Sequence, residues 1–198
     1  MATQAPSIGL VGLGLVGQAL AQRLLAAGFP VHGFDLRPEA CSALNALGGT
    51  AVDCVAAIGA NCTCVLLAVF DTKDVLQVLG QLGSLREPSL RAGHCVRTVI
   101  DCSTGDPEAL QALAARLRER EIDFIEGPLS GSSQQIAAGE ATQLLGGEAD
   151  AIARNVAVLD AVATRRVHVG AAGMAARAKL ATNLVLGLNR AVLAEGMA

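Results

Sequence analysis

Tryptophan and tyrosine are absent from this sequence, and phenylalanine occurs only four times in 198 residues. Apolar residues still make up 52%, so alanine, leucine and valine carry the hydrophobic content. Such an aliphatic bias suits parallel strands buried between two layers of helices. Charged residues make up only 17%, the formal net charge is −3 and no basic run occurs. The electrostatic footprint of a nucleic-acid-binding surface is therefore missing. The first seven residues hold no basic region followed by an apolar stretch, so no secretory signal is read there. No run of about eighteen apolar residues occurs, which leaves nothing to span a membrane as a helix. Six cysteines are present, but none forms a CxxC pair. They read as reduced, structural thiols, with Cys62 and Cys64 in a buried strand. A reducing compartment, most simply the cytoplasm, is expected.

What is there alternates. Apolar runs of strand length are expected over 7–11, 30–35, 50–52, 62–70, 96–101, 123–126 and 166–169. Helical spacing is expected over 15–27, 38–47, 71–79, 107–121, 148–162 and from 173 onwards. Asp71 and Asp106 stand where helix caps belong, the latter followed by Pro107 in the first turn. Asp53 is expected to cap a further short helix. Residues 127–147 are rich in Gly, Ser and Gln and read as loop at their start. This order predicts an α/β Rossmann fold, a doubly wound, mainly parallel sheet, over 1–169. The remaining 170–198 read as the first helix of an all-α domain. The pattern is still helical at the last residue, so a fragment, inactive by itself, is expected.

Gly12-Leu13-Gly14-Leu15-Val16-Gly17 is a GxGxxG placed between a strand and a helix. Gly12 allows the tight turn, Gly14 lets the backbone approach a pyrophosphate, and Gly17 lets the helix pack on the sheet. The free N–H groups at the helix start then meet the phosphates. Asp35 ends the second strand, 18 residues beyond Gly17. An acid there accepts hydrogen bonds from the ribose hydroxyls and repels a 2′-phosphate, so NAD is expected to be favoured and NADP remains possible. Arg37 partly offsets that repulsion. Leu15, Val16, Leu36, Arg37 and the strand-end residues Ala68, Val69 and Phe70 complete the expected cofactor-binding set.

Three later motifs extend the pattern. Asp101-Cys102-Ser103-Thr104-Gly105-Asp106-Pro107 is a strand end, two hydroxyls and a helix start. Gly127-Pro128-Leu129-Ser130-Gly131 offers backbone N–H groups and a hydroxyl able to hold a carboxylate. Lys179-Leu180-Ala181-Thr182-Asn183 sets a lysine and an amide on one helix face. With these motifs the chain resembles, over almost its whole length, the β-hydroxyacid dehydrogenases, the group of 3-hydroxyisobutyrate dehydrogenase and tartronate semialdehyde reductase, related to 6-phosphogluconate dehydrogenase. The first motif matches that family's D-x-S-T-x-x-P, the second resembles its substrate loop P-V-S-G-G, and the third its catalytic K-x-x-N-N.

The resemblance implies an oxidoreductase moving a hydride between NAD(P) and a small 3-hydroxy acid or its oxo acid. It implies Lys179 as acid/base and Asn183 beside it, with Ser103, Thr104, Ser130, Gly131 and Ser132 at the substrate, and Thr104 also near the cofactor. It implies a helical second domain and a homo-oligomer formed through the C-terminal helix. The sequence departs from the pattern at Val16, where the family has Met, at Ser132 for the second glycine, and at Gln135 and Ile136 for a Gly-Ala pair. Thr182 replaces the first Asn, and Leu186 stands where 6-phosphogluconate dehydrogenase has Glu, which speaks against that enzyme. No K-D-L-x-x-A stretch is found. Two alternatives stand beside this reading: a catalytically inactive nucleotide-binding sensor or assembly module, and an imine reductase on the same scaffold, against which the lysine speaks. His32, His94 and His168 read as structural or surface residues, and no metal is called for.

Overall fold

A computed structural model describes residues 6–84 and 95–198; the expectation for His94 falls outside them. The first half of the chain alternates β1 (Ile8–Val11), α1 (Leu15–Ala26), β2 (Val31–Phe34), α2 (Pro38–Ala46), β3 (Thr50–Ala51) and α3 (Val55–Asn61). It continues with β4 (Cys64–Leu67), α4 (Thr72–Leu82), β5 (Thr98–Asp101), α5 (Pro107–Arg118) and β6 (Asp123–Glu126). These six strands lie side by side in the order β3-β2-β1-β4-β5-β6 and all pair in parallel. The chain winds outward from β1 and then returns to β4. The direction of winding therefore reverses between β1 and β4, and a crevice opens at their carboxyl ends.

Alternation along each strand feeds both faces of the sheet. Ile8 and Leu10 of β1, Cys64 and Leu66 of β4 and Ile100 of β5 pack into one core with α1 and α2. Val11, Val65, Leu67 and Val99 point the other way, against α3, α4 and α5. Strands buried on both faces read as continuous apolar runs, as these do. The expected caps form. The Asp71 carboxylate accepts the N–H groups of Lys73 at 2.9 Å and Asp74 at 3.0 Å, and Asp106 those of Glu108 and Ala109, each at 2.9 Å. Each cap is worth about 1 kcal/mol. Asp53 does not cap: Cys54 takes the N-cap position of α3, and no side chain there bonds to the helix.

Residues 127–147 are more ordered than their composition suggests. They contain β7 (Leu129–Ser130), α6 (Ser133–Ala138) and β8 (Thr142–Gly146). β8 runs antiparallel to β6 at Glu126↔Gly146 and to β7 at Leu129↔Gln143, in one shared register, so β6 and β7 form one strand interrupted at Gly127-Pro128. α6 opens with a capping box: Gln135 N–H donates to the Ser132 hydroxyl, and Ser132 N–H to the Gln135 side-chain oxygen. The helix expected over 148–162 divides into α7 (Ala149–Arg154) and α8 (Val156–Val162) at Asn155. β9 (Arg165–Gly170) pairs with β8 in parallel, and α9 (Met174–Met197) follows. The amino end of α9 packs on α5, β8 and β9. Among the described residues no helix is long and apolar enough to cross a membrane.

Candidate active site

The turn after β1 is built by its glycines. Gly12 has φ +90°, and a Cβ there would run into the Ala68 carbonyl at the end of β4. A Cβ on Gly17 would run into the Gly12 carbonyl, so α1 can approach the sheet this closely only with glycine. Gly14 differs. A Cβ on it would meet only Arg37 Nη2, at 3.7 Å, so its bare backbone borders open space. Gly14 is also the N-cap of α1, and no side chain caps that helix. The unpartnered first-turn amides carry the positive end of the helix dipole. A pyrophosphate suits this place: it needs close backbone approach, N–H donors and a positive end.

Asp35 stands just beyond β2. Its carboxylate accepts the Leu13 N–H at 2.7 Å and the Arg37 N–H at 2.9 Å. Arg37 Nε and Nη2 also donate to it, at 3.0 and 3.2 Å. Burial alone would raise its pKa; the Arg37 side chain and backbone and the Leu13 amide outweigh burial, and the carboxyl sits below its ordinary range. Asp35 thus stays charged at neutral pH.

Ten of the expected cofactor residues line one open cleft of about 650 Å³: Gly12, Gly14, Leu15, Val16, Asp35, Leu36, Arg37, Ala68, Val69 and Phe70. Gly17 lies beneath it as packing. Sequence reasoning missed the rest of the lining: Val11, Phe34, Val55, Asp74, Gln77, Val78 and Gln81. A signal existed, since Asp74, Gln77 and Gln81 share one face of α4. Leu15, Leu36 and Phe70 are each at least 80% exposed at the rim. Such apolar side chains facing water mark a surface meant to be covered.

The expected substrate residues lie outside that cleft. Ser103 is buried; its hydroxyl accepts the Val69 N–H at 3.1 Å, and its N–H donates to Asp101 at 2.9 Å. It ties the loop after β5 to the loop after β4. Thr104, by contrast, is exposed. Ser130, Gly131 and Ser132 are exposed beside the start of α6, where the Ser132 hydroxyl serves as the cap. Lys179 lies in the second turn of α9, half-buried, and burial lowers its pKa from the ordinary lysine value. Asn183 is exposed one turn further on.

Two acids missed by the sequence reading sit under this region. Asp101 and Glu126 are register partners on β5 and β6, and each is 1% exposed. Burial pushes both carboxyls up, partly offset by hydrogen bonds from Ser103 at Asp101 and from the α9 amides at Glu126. All six cysteines are free, and burial raises the Cys62 thiol to about 11 and the Cys64 thiol to about 12. Cys62 and Cys64 are packing residues of the buried core. His168 Nε2 lies 3.0 Å from the Gly147 and Gly170 carbonyl oxygens, a structural contact.

Residues 7–170 match the family described as the NAD binding domain of 6-phosphogluconate dehydrogenase. The chain belongs to the β-hydroxyacid dehydrogenase family. It is 35% identical over 194 residues to an L-threonate dehydrogenase of Cupriavidus necator, covering 97% of this chain and 64% of that protein. The chain therefore spans less than two thirds of that relative. A 3-hydroxyisobutyrate dehydrogenase of Mycobacterium tuberculosis, solved with L-serine, superposes with TM-score 0.86 at 25% identity, covering 97% of this chain and 64% of that one. An imine reductase from Pseudomonas sp. shares the fold, with TM-score 0.83 at 24% identity over 97% of this chain and 65% of that one. The cleft over Gly14 lies entirely within the residues matched to that NAD binding domain.

Proposed function

We propose that this chain is the cofactor-binding part of an oxidoreductase moving a hydride between NAD and a small 3-hydroxy acid or its oxo acid, with NAD favoured over NADP. One observation carries the reading: the uncapped start of α1, the open space over Gly14 and the charged Asp35 converge on a single cleft. The Gly14 backbone and the first amides of α1 hold the pyrophosphate, Asp35 holds the ribose hydroxyls, and the apolar rim of Leu15, Leu36 and Phe70 covers ring faces. NAD, when bound, supplies the nicotinamide C4 that takes or gives the hydride.

Oxidation of a hydroxy acid removes a hydride from the carbinol carbon and a proton from its oxygen. Lys179 takes that proton as an amine, and a pKa lowered by burial favours the neutral form this needs. Asn183 fixes the same hydroxyl, while Thr104 and the Ser130–Ser132 loop hold the carboxylate. Domain 1–169 then binds the cofactor, and 170–198 is the helix through which a second domain and further copies assemble. The L-threonate and 3-hydroxyisobutyrate dehydrogenases among its relatives favour a hydroxy acid over an imine, and a proton-accepting lysine suits that substrate.

The complete enzyme should oxidise at least one C3–C6 hydroxy acid, or reduce its oxo acid, in a screen with both cofactors. Lys179→Ala should leave NAD affinity nearly intact and lower kcat by about 10²–10⁴-fold. Near-normal turnover in that variant would remove Lys179 from the mechanism.

A further inference from the structure

We propose that Glu126 is a positioning residue for Lys179, holding the amino end of α9 against the carboxyl edge of the sheet; this rests on the role given to Lys179 above. Glu126 ends β6 and is buried. Its Oε2 accepts the N–H of Gly173 at 2.6 Å and of Ala175 at 3.4 Å, and its Oε1 that of Ala176 at 3.3 Å. These are first-turn amides of a helix with no side-chain cap of its own. A residue 47 positions earlier thus supplies what the local sequence does not.

The surroundings leave that turn no room to shift. A Cβ on Gly146 would collide with Glu126 Oε2 and lie 3.1 Å from Ala175. A Cβ on Gly173 would lie 2.8 Å from the Pro107 carbonyl oxygen. β6, β8, α5 and α9 therefore meet in direct contact. Lys179 follows Ala176 by less than one helical turn, so a displacement of the capped turn moves the lysine with it. A polar tie between α5 and α9, Arg177 to Glu108 at 3.7 Å, is largely exposed and worth little. Asp101, the strand neighbour of Glu126, holds the Ser103–Val69 connection on the cofactor side. Two adjacent strand ends thus anchor the cofactor loop and the lysine helix separately.

Because the three amides divide between both carboxylate oxygens, an amide side chain must turn its NH₂ towards at least one N–H. Glu126→Gln should therefore loosen the first turn of α9 without a change of size. The chain has only two lysines, Lys73 and Lys179, so ¹³C-methylation of its amines gives two lysine signals, with exposed Lys73 as internal reference. Lys179 should titrate below the ordinary lysine value in the parent chain. In Glu126→Gln it should move back up towards the ordinary lysine value, because a loosened helix end readmits water. Amide exchange should quicken at Gly173, Ala175 and Ala176 and stay unchanged in β1.

The sign of the shift separates positioning from mere charge. Loss of a nearby negative charge alone would push the Lys179 pKa further down, and that result would overturn the proposal, as would an unchanged Lys179 with unchanged exchange. If Glu126→Gln does not fold, Glu126→Asp keeps the charge but is too short to reach all three amides. It must then show the same upward shift and faster exchange, and parent-like behaviour would overturn the proposal. These readouts need no turnover, so they stand apart from the kinetic test of Lys179 itself.

Discussion

The Asp35 carboxylate grips the Arg37 guanidinium, Nε to Oδ1 at 3.0 Å and Nη2 to Oδ2 at 3.2 Å. Arg37 lines the same cleft, and two of its donors are already engaged by Asp35. A 2′-phosphate meeting Arg37 would also lie beside the Asp35 carboxylate, which repels the new charge. NAD should therefore bind more tightly than NADP by about 1–3 kcal/mol, roughly 5- to 150-fold. Calorimetric titration with both cofactors measures this. Equal affinities would show that Arg37 leaves Asp35 for the phosphate, and Asp35→Ala, which frees Arg37, should narrow the gap.

The three glycines of the turn should separate folding from binding. Gly14 has φ −71°, open to alanine, and a Cβ there has only Arg37 Nη2 nearby, at 3.7 Å. Gly14→Ala should keep its stability within about 0.5 kcal/mol. It should lose NAD affinity about tenfold or more, because the methyl occupies the phosphate approach. Gly17→Ala and Gly12→Ala meet backbone carbonyls instead and should cost about 1–3 kcal/mol, more at Gly12 with its positive φ. Urea unfolding and NAD titration on all three give the answer. Parent-like NAD affinity in Gly14→Ala would place the pyrophosphate elsewhere.

What could be read from the sequence was local. The glycine turn, Asp35 at a strand end and the caps at Asp71 and Asp106 each depend on residues within a few positions. The misses depend on partners far along the chain. β7, at two residues, is too short to show a period, and it pairs with β8 because Leu129 and Ser130 find Gln143 and Thr142. Ser103 reads from the sequence only as a loop hydroxyl, and its contact with the Val69 N–H, 34 residues away, appears only in the fold. Glu126 reads as an ordinary strand-end acid, and only the fold delivers the α9 amides to it. Asp53 and Cys54 differ by one position, below the resolution of pattern reading.

Asp101 should leave a signature in the pH dependence of stability. It is fully buried, and among the described residues Oδ2 finds no hydrogen-bond partner. Burial raises its folded-state pKa above the unfolded value of 3.8. The folded chain thus binds the proton more tightly. That contribution is complete below pH 3.8 and is lost as pH rises through the folded value. Within the window the loss is about 1.4 kcal/mol per pH unit. Asp101→Asn keeps an acceptor for the Ser103 N–H and cannot ionise. Its melting temperature relative to the parent should climb from acid to neutral pH. Parallel curves for the two proteins would mean that Asp101 does not titrate there. Glu126 shifts in the same direction, so the parent retains a shallower dependence even in the variant.

The outer half of α9 should govern association. Leu184, Val185, Leu188, Val192 and Leu193 are each more than half exposed, and 184, 188 and 192 follow one another along a single stripe. Helices gain most of their stability from packing such a face, and a helix left bare in water is marginal. Contiguous apolar surface of this kind drives association or fraying. The chain should therefore self-associate in a concentration-dependent way, or exchange its amides beyond Asn183 rapidly while those of Gly173–Ala176 stay protected. Size-exclusion chromatography with light scattering and hydrogen exchange distinguish the two. Leu188→Asp with Val192→Asp should yield a monomer that binds NAD as before, since neither residue lines the cleft. A parent chain that stays monomeric at high concentration, with slow exchange along the whole of α9, would show that this stripe needs no partner.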